Sequence, residues 1–359
     1  MPNTPKIARS LLAVLLGIGA ASLLIFSEEV ASAARAGALL AFSSVLPSLF
    51  PFLVASQLLI VLRVTHSAGR SFGGLMPLLF RQPREAASVL LLGLLSGYPV
   101  GAAAARSLYE EGGCTAEQAE RLVALCNNSG PAFVVGVVGT ALWGNARLGA
   151  ALYLCHAAAA LLSGILLSIG CPPVPDERPL PAAEPPSFFP ALVRAVKSSA
   201  LTALDIAAFI IFFSVVIALL PEVTSLPGQL TVGMLELTNG VQLFRSAEAA
   251  LPVRLALQSF LLGFSGLSVF CQVAGVLEGS DLSLRPYLCG KLLQGAIALL
   301  LTLLLFPLFP QEVGVMLPLT PSLPLPAFTL LTALLLDSLL LWLAAMLLFS
   351  SLSCKRRTK

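Results

Sequence analysis

Between residues 119 and 142, apolar sequence on both sides is interrupted by the run Cys126-Asn127-Asn128-Ser129-Gly130-Pro131. Pro131 has no N–H to donate and Gly130 admits backbone angles that other residues resist, so a helix through this run is disfavoured. The spacing predicts a helix that stops and restarts, with Ser129 capping the new half and Pro131 in its first turn. Backbone opened at the depth of a bilayer is tolerated only where protein buries it or water reaches it, as in transporter sites. Residues 119–142 therefore read as a discontinuous spanning helix.

The solvent this implies agrees with composition. The chain is 57% hydrophobic and only 11% charged, with a mean hydropathy of +0.92, where soluble domains carry roughly 25% charged residues. Runs of ~18 or more apolar residues recur, each long enough to cross ~30 Å of hydrocarbon. The expected fold is an all-α polytopic membrane protein of about eight spanning helices plus two re-entrant hairpins, two of the spans being discontinuous. Residues 1–26 resemble a signal peptide, with Lys6 and Arg9 ahead of an apolar run, but lack a convincing cleavage site and read as a retained first helix. The seven cysteines form no C-x-x-C pair, and most read as small packing residues, with Cys126 beside the break. No Walker A, H-E-x-x-H or G-x-S-x-G pattern occurs. Neither an enzyme, nor a bound metal or cofactor, nor a nucleic-acid partner is expected.

The remaining chain organises around the same kind of interruption. A first helix occupies 1–35, and a second span, about 36–62, should kink at Pro47 and Pro51. The basic loop with Arg63, His66, Arg70, Arg81 and Arg84 is expected to be cytoplasmic, and both termini with it. In Ala86–Glu110, two short apolar arms flank Ser96-Gly97-Tyr98-Pro99-Val100-Gly101. Each arm reaches only half a bilayer, which suggests a re-entrant hairpin; a single kinked span is the alternative. Trp143 closes the broken helix at an interface, and a span at 148–170 returns. A proline-rich cytoplasmic linker at 171–189 follows. The second half repeats the order: a span ending near Leu220, a hairpin centred on Glu236-Leu237-Thr238-Asn239-Gly240, a helix interrupted at Gly263-Phe264-Ser265-Gly266, and a span at 287–309. Residues 36–170 and 190–309 thus form two inverted repeats, and 310–359 supply a last helix and the basic tail Lys355-Arg356-Arg357.

If both hairpin tips and both breaks meet near the bilayer centre, several half-helix amino termini point at one place, each carrying roughly +0.5 elementary charge. The expected binding residues are Ser96, Gly97, Tyr98, Asn127, Asn128, Ser129, Gly130, Thr238, Asn239, Ser265, Gly266 and Gln272. Such a lining suits a carboxylate, a phosphate or the edge of a heterocycle. A carboxylate inside the membrane usually faces a cavity and serves proton or cation coupling, so Glu236 is a coupling candidate unless it lies in a shallow external loop. His156 is a second coupling candidate, with a packed neutral histidine as the alternative. Asp205 and Asp337 read as pathway or helix-end residues, and Lys291 and Arg254 as snorkelling side chains at an interface.

The blocks Ser96-Gly97-Tyr98-Pro99-Val100-Gly101, Cys126-Asn127-Asn128-Ser129-Gly130-Pro131, Gly263-Phe264-Ser265-Gly266-Leu267-Ser268-Val269 and Arg285-Pro286-Tyr287-Leu288 resemble the sporulation integral membrane protein family called YlbJ or SpoVV. The resemblance spans about residues 45–309. It implies nucleoside-recognition "Gate" domains, a relation to concentrative nucleoside transporters, and a role in moving dipicolinate across the outer forespore membrane. The sequence departs from this pattern at Phe270, where a polar residue is expected after Ser268-Val269.

The function these features point to is a secondary transporter or facilitator for a small anionic or nucleoside-like solute, by resemblance dipicolinate during spore formation. It would lie in the bacterial cytoplasmic membrane or the outer forespore membrane. A non-transporting sporulation scaffold and a passive channel are the alternatives. Proton or sodium coupling and association into a homo-oligomer are left open.

Overall fold

The computed structural model describes residues 6–62, 73–174, 186–221 and 223–310, and every regular element among them is helical. The last span, the basic tail, Asp337, the loop residues Arg63, His66 and Arg70, and most of the proline-rich linker lie outside the described residues.

The order is α1 (Lys6–Ile25), α2 (Ser27–Leu39), α3 (Leu46–Val61), α4 (Ala86–Ser96), α5 (Val100–Glu110), α6 (Ala116–Cys126), α7 (Ala146–Leu167) and α8 (Phe188–Ala218). Then follow α9 (Leu226–Leu235), α10 (Leu237–Ser246), α11 (Leu251–Phe264), α12 (Gly266–Val276) and α13 (Arg285–Leu305). Three stretches, Leu40–Val45, Met76–Phe80 and Ala132–Leu142, are wound more widely, as π-helix. Among the described residues, five helices are long and apolar enough to cross a membrane: Ser27–Val61, Ala146–Leu167, Phe188–Ala218, Leu251–Val276 and Arg285–Leu308. The shorter apolar pieces Ala13–Ile25, Ala86–Ser96 and Ala132–Leu142 accompany them.

The second span starts earlier than expected. Ser27-Glu28-Glu29 forms the first turn of α2 instead of a loop, because two carboxylates there complement the positive end of the helix. Proline cannot donate to the ladder, and its ring collides with the carbonyl four residues back. The π-wound Leu40–Val45 directly precedes the turn that holds Pro47, with Pro51 inside α3, and widening the helix there accommodates both rings.

Helices α3 and α8 lie against each other through Leu53, Ala203, Ile206, Ala207 and Ile210, with Ala41 and Val45 of the widened turn beside them. Their other faces expose Phe52, Leu201, Leu204 and Phe212, a surface suited to acyl chains rather than water. The molecule's interior is formed by α4 to α7 and α9 to α13. There each short helix pair (α4–α5, α9–α10) is followed by an interrupted helix (α6 with Ala132–Leu142, α11–α12) and then by a long helix (α7, α13).

A polar site where two hairpins meet two broken helices

Each hairpin tip docks on a break. At the first tip Gly97 has φ +82°, and a side chain there would strike the backbone nitrogen of Gly130 at 2.9 Å. Only glycine adopts that geometry without strain and without filling the gap. On either side, a Cβ added at Gly93 or Gly101 would fall 1.8 or 2.0 Å from the carbonyl oxygen of Cys126. The two arms α4 and α5 therefore straddle the last carbonyl of α6 with backbone alone. The second tip behaves alike: Gly266 lies against the carbonyl of Gly233 and the backbone nitrogen of Leu237.

The breaks then meet each other. Ser129 Oγ donates to the carbonyl of Leu262, 3.2 Å away and just before the second break, and lies 3.3 Å from the Tyr98 hydroxyl of the first tip. The backbone N–H of Ser129 donates to Nε2 of His156 on α7 at 3.2 Å. An accepting Nε2 places the proton of a neutral imidazole on Nδ1, and that atom has no partner within the protein. His156 is therefore buried and bonded to the break across from it, with its Nδ1 left over.

Asparagines 127 and 128 are buried and point to α13. Asn127 Nδ2 donates to the Tyr287 hydroxyl at 2.9 Å. Asn128 Oδ1 accepts from Lys291 Nζ at 3.1 Å and from Gln294 Nε2 at 3.0 Å, while Gln294 Oε1 accepts from the same ammonium at 2.6 Å. Asn128 Nδ2 in turn donates to the Leu125 carbonyl at 2.8 Å, which satisfies one of the orphan acceptors at the end of α6. Lys291 has no exposed surface at all. This overturns its assignment as a snorkelling residue: seven residues into α13, its ammonium is held inward by two amides, Asn128 of the break and Gln294 of its own helix.

Glu236 anchors a second polar knot. It is buried at the tip between α9 and α10. Its carboxylate accepts the backbone N–H groups of Thr238 at 3.0 Å and Asn239 at 2.7 Å, and Asn239 Nδ2 at 2.8 Å. Glu236 is thus the cap of α10, and the positive end of that helix is already matched by a side chain of the protein. Asn239 Nδ2 also reaches Ser214 Oγ of α8 at 3.0 Å.

Ser265 sits at the second break with φ +77°, followed by Gly266 at +81°. A non-glycine residue in this region costs about 1–2 kcal/mol, and such strain is held where surrounding structure demands it. Ser96 and Gln272 are buried nearby in sequence to the tip and the break, and their Oγ and Oε1 atoms have no partner in the protein. Phe270, where a polar residue was expected, packs against Tyr287 with ring centroids 5.3 Å apart and the rings tilted by 41°.

Several expected roles change. Ser129 does not cap the restarted helix; its hydroxyl bonds outward, and winding resumes at Pro131 with Gly130 supplying the first carbonyl to Phe133 and Val134. Trp143 is buried instead of lying in a lipid interface, its Nε1 donating to Gln258 Oε1 at 2.9 Å with the Arg254 guanidinium 5.3 Å above its ring. Arg254 also donates to the Arg245 carbonyl. Asp205 is on the exposed face of α8, away from the polar residues. Tyr287, Lys291 and Gln294 were not expected in the site, although they recur at i, i+4 and i+7 along one face of α13, a polar stripe that the sequence displays.

Across 347 residues, covering 86% of this chain and 85% of the relative, the sequence is 31% identical to the sporulation integral membrane protein YlbJ of Bacillus subtilis (strain 168). The chain belongs to the YlbJ family. No family model and no solved structure matches it. As a member of the YlbJ family it is an integral membrane protein, and its long apolar helices have the bilayer for solvent.

Proposed function

We propose that this protein is a secondary transporter or facilitator for a small anionic or nucleoside-like solute, dipicolinate being the first to test. The observation that carries the reading is the position of Ser129, which bonds to the first hairpin tip and to the end of α11 at once. Two half-depth hairpins and two interrupted helices meeting at one polar centre is the arrangement from which membrane carriers build a solute site. The relative is a sporulation integral membrane protein by name, and the same setting is proposed for this chain. Dipicolinate, a planar pyridine with two carboxylates, matches amide and ammonium donors.

The test is uptake of labelled dipicolinate and nucleosides into proteoliposomes, with proton and sodium gradients imposed one at a time. Wild type takes up one of these solutes, and Asn128→Ala, which removes an acceptor from Lys291, lowers the rate about tenfold. A scaffold gives no flux in any sample. A passive channel gives flux that neither gradient changes.

A further inference from the structure

We propose that Lys291 is the residue that receives the solute's carboxylate, an inference that rests on the transport reading above. Its ammonium is fully buried, and no carboxylate lies within ion-pair distance of it among the described residues. The neighbouring oxygens are neutral: Asn128 Oδ1 and Gln294 Oε1 occupy two of its three N–H groups. Glu236, the buried carboxylate of the second tip, is committed to the amino terminus of α10 through Thr238 and Asn239. A buried cation without a counter-charge is costly, and the cost is recovered when an anion binds beside it.

A second donor accompanies it. His156 accepts from Ser129, the residue next to Asn128, so its Nδ1–H is available within the same buried group and has no partner in the protein. Lysine and histidine thus offer N–H groups from α13 and α7 at the adjacent residues Asn128 and Ser129 of the break. The chemistry selected is a small carboxylate; a neutral amide of the same shape could accept the hydrogen bonds but would leave the charge unmatched.

The experiment compares pyridine-2,6-dicarboxylate with its diamide on wild type and Lys291→Gln. In proteoliposomes, wild type prefers the dicarboxylate; Lys291→Gln raises its KM at least about tenfold and loses that preference. Unchanged KM and preference in a folded Lys291→Gln protein overturn the assignment while leaving transport standing. Should the variant fail to fold, the thermal shift of purified wild type decides. Stabilisation by the dicarboxylate and not by the diamide supports the assignment; equal stabilisation, or none by either, overturns it. A charge-selective shift in wild type that shows no flux would keep the subsite and remove the transport reading.

Discussion

Glu236 and Ser265 show how single side chains fix the geometry of the breaks. Replacing Glu236 by Gln keeps one acceptor but removes the charge that matches the start of α10, and Glu236→Ala removes the cap altogether. Loss of an N-cap costs about 1–2 kcal/mol, so Glu236→Ala should lower the melting temperature in detergent, with Glu236→Gln affected less; scanning both variants by intrinsic fluorescence checks this. Ser265 bears the opposite sign. Its left-handed backbone is unfavourable by about 1–2 kcal/mol for a residue with a Cβ, so Ser265→Gly should raise the melting temperature. A drop on that substitution would mean that the hydroxyl contributes more than the backbone loses. The asparagines, Ser129 and Glu236 were visible in the sequence because polar residues stand out in apolar surroundings. Their partners were not: a lysine near the start of a spanning helix resembles an interfacial anchor until Tyr287 and Gln294 are seen on its face, and only packing shows where that face points.

Among the elements, the hairpins depend on backbone contact. Gly93 and Gly101 hold the Cys126 carbonyl between α4 and α5, and there is no side chain that could yield. Gly101→Ala places a methyl inside that contact, and overpacking of this kind costs about 1–3 kcal/mol or more. Its expected outcome is loss of folded protein after detergent extraction, measured by size-exclusion recovery. Gly19→Ala in α1, where a Cβ meets nothing, should leave recovery unchanged. Both hairpins and both interruptions were legible because glycine, proline and short apolar arms are local signals. Where winding restarts after Asn127-Asn128-Ser129 was not, since Ser129 had a local cap available and a tertiary partner, Leu262, that prevailed.

For the whole molecule, one end of the bundle is closed by bonds between its two halves. Arg106 of α5 donates to the carbonyls of Val276 and Glu278 at 2.6 and 2.9 Å, while holding Glu110 at 2.7 Å. Tyr109 donates to Asp281 at 2.9 Å, and Glu120 accepts from the backbone N–H of Ser283 at 2.7 Å. Cys114 lies in the turn beside this collar, its thiol pushed up to about 12 by burial. It therefore stays protonated at neutral pH, where thiolate chemistry is slow. Arg106→Gln removes the ties to α12 and should let the turn open, returning the thiol toward its usual value near ~8.5. Maleimide should then label Cys114 several-fold faster at pH 7.5 than in wild type, with cysteines 126, 155, 171, 271, 289 and 354 replaced; an unchanged rate would show that the collar is held elsewhere. The collar joins residues some 170 positions apart, a relation that no local pattern in the chain announces. The carbonyl wedged between Gly93 and Gly101 has a consequence at this scale. Surfaces meeting main chain to main chain cannot slip past one another by exchanging rotamers, so the first hairpin and α6 must tilt as one lever. Any rearrangement of the site thereby carries the Cys126 carbonyl and both hairpin arms together.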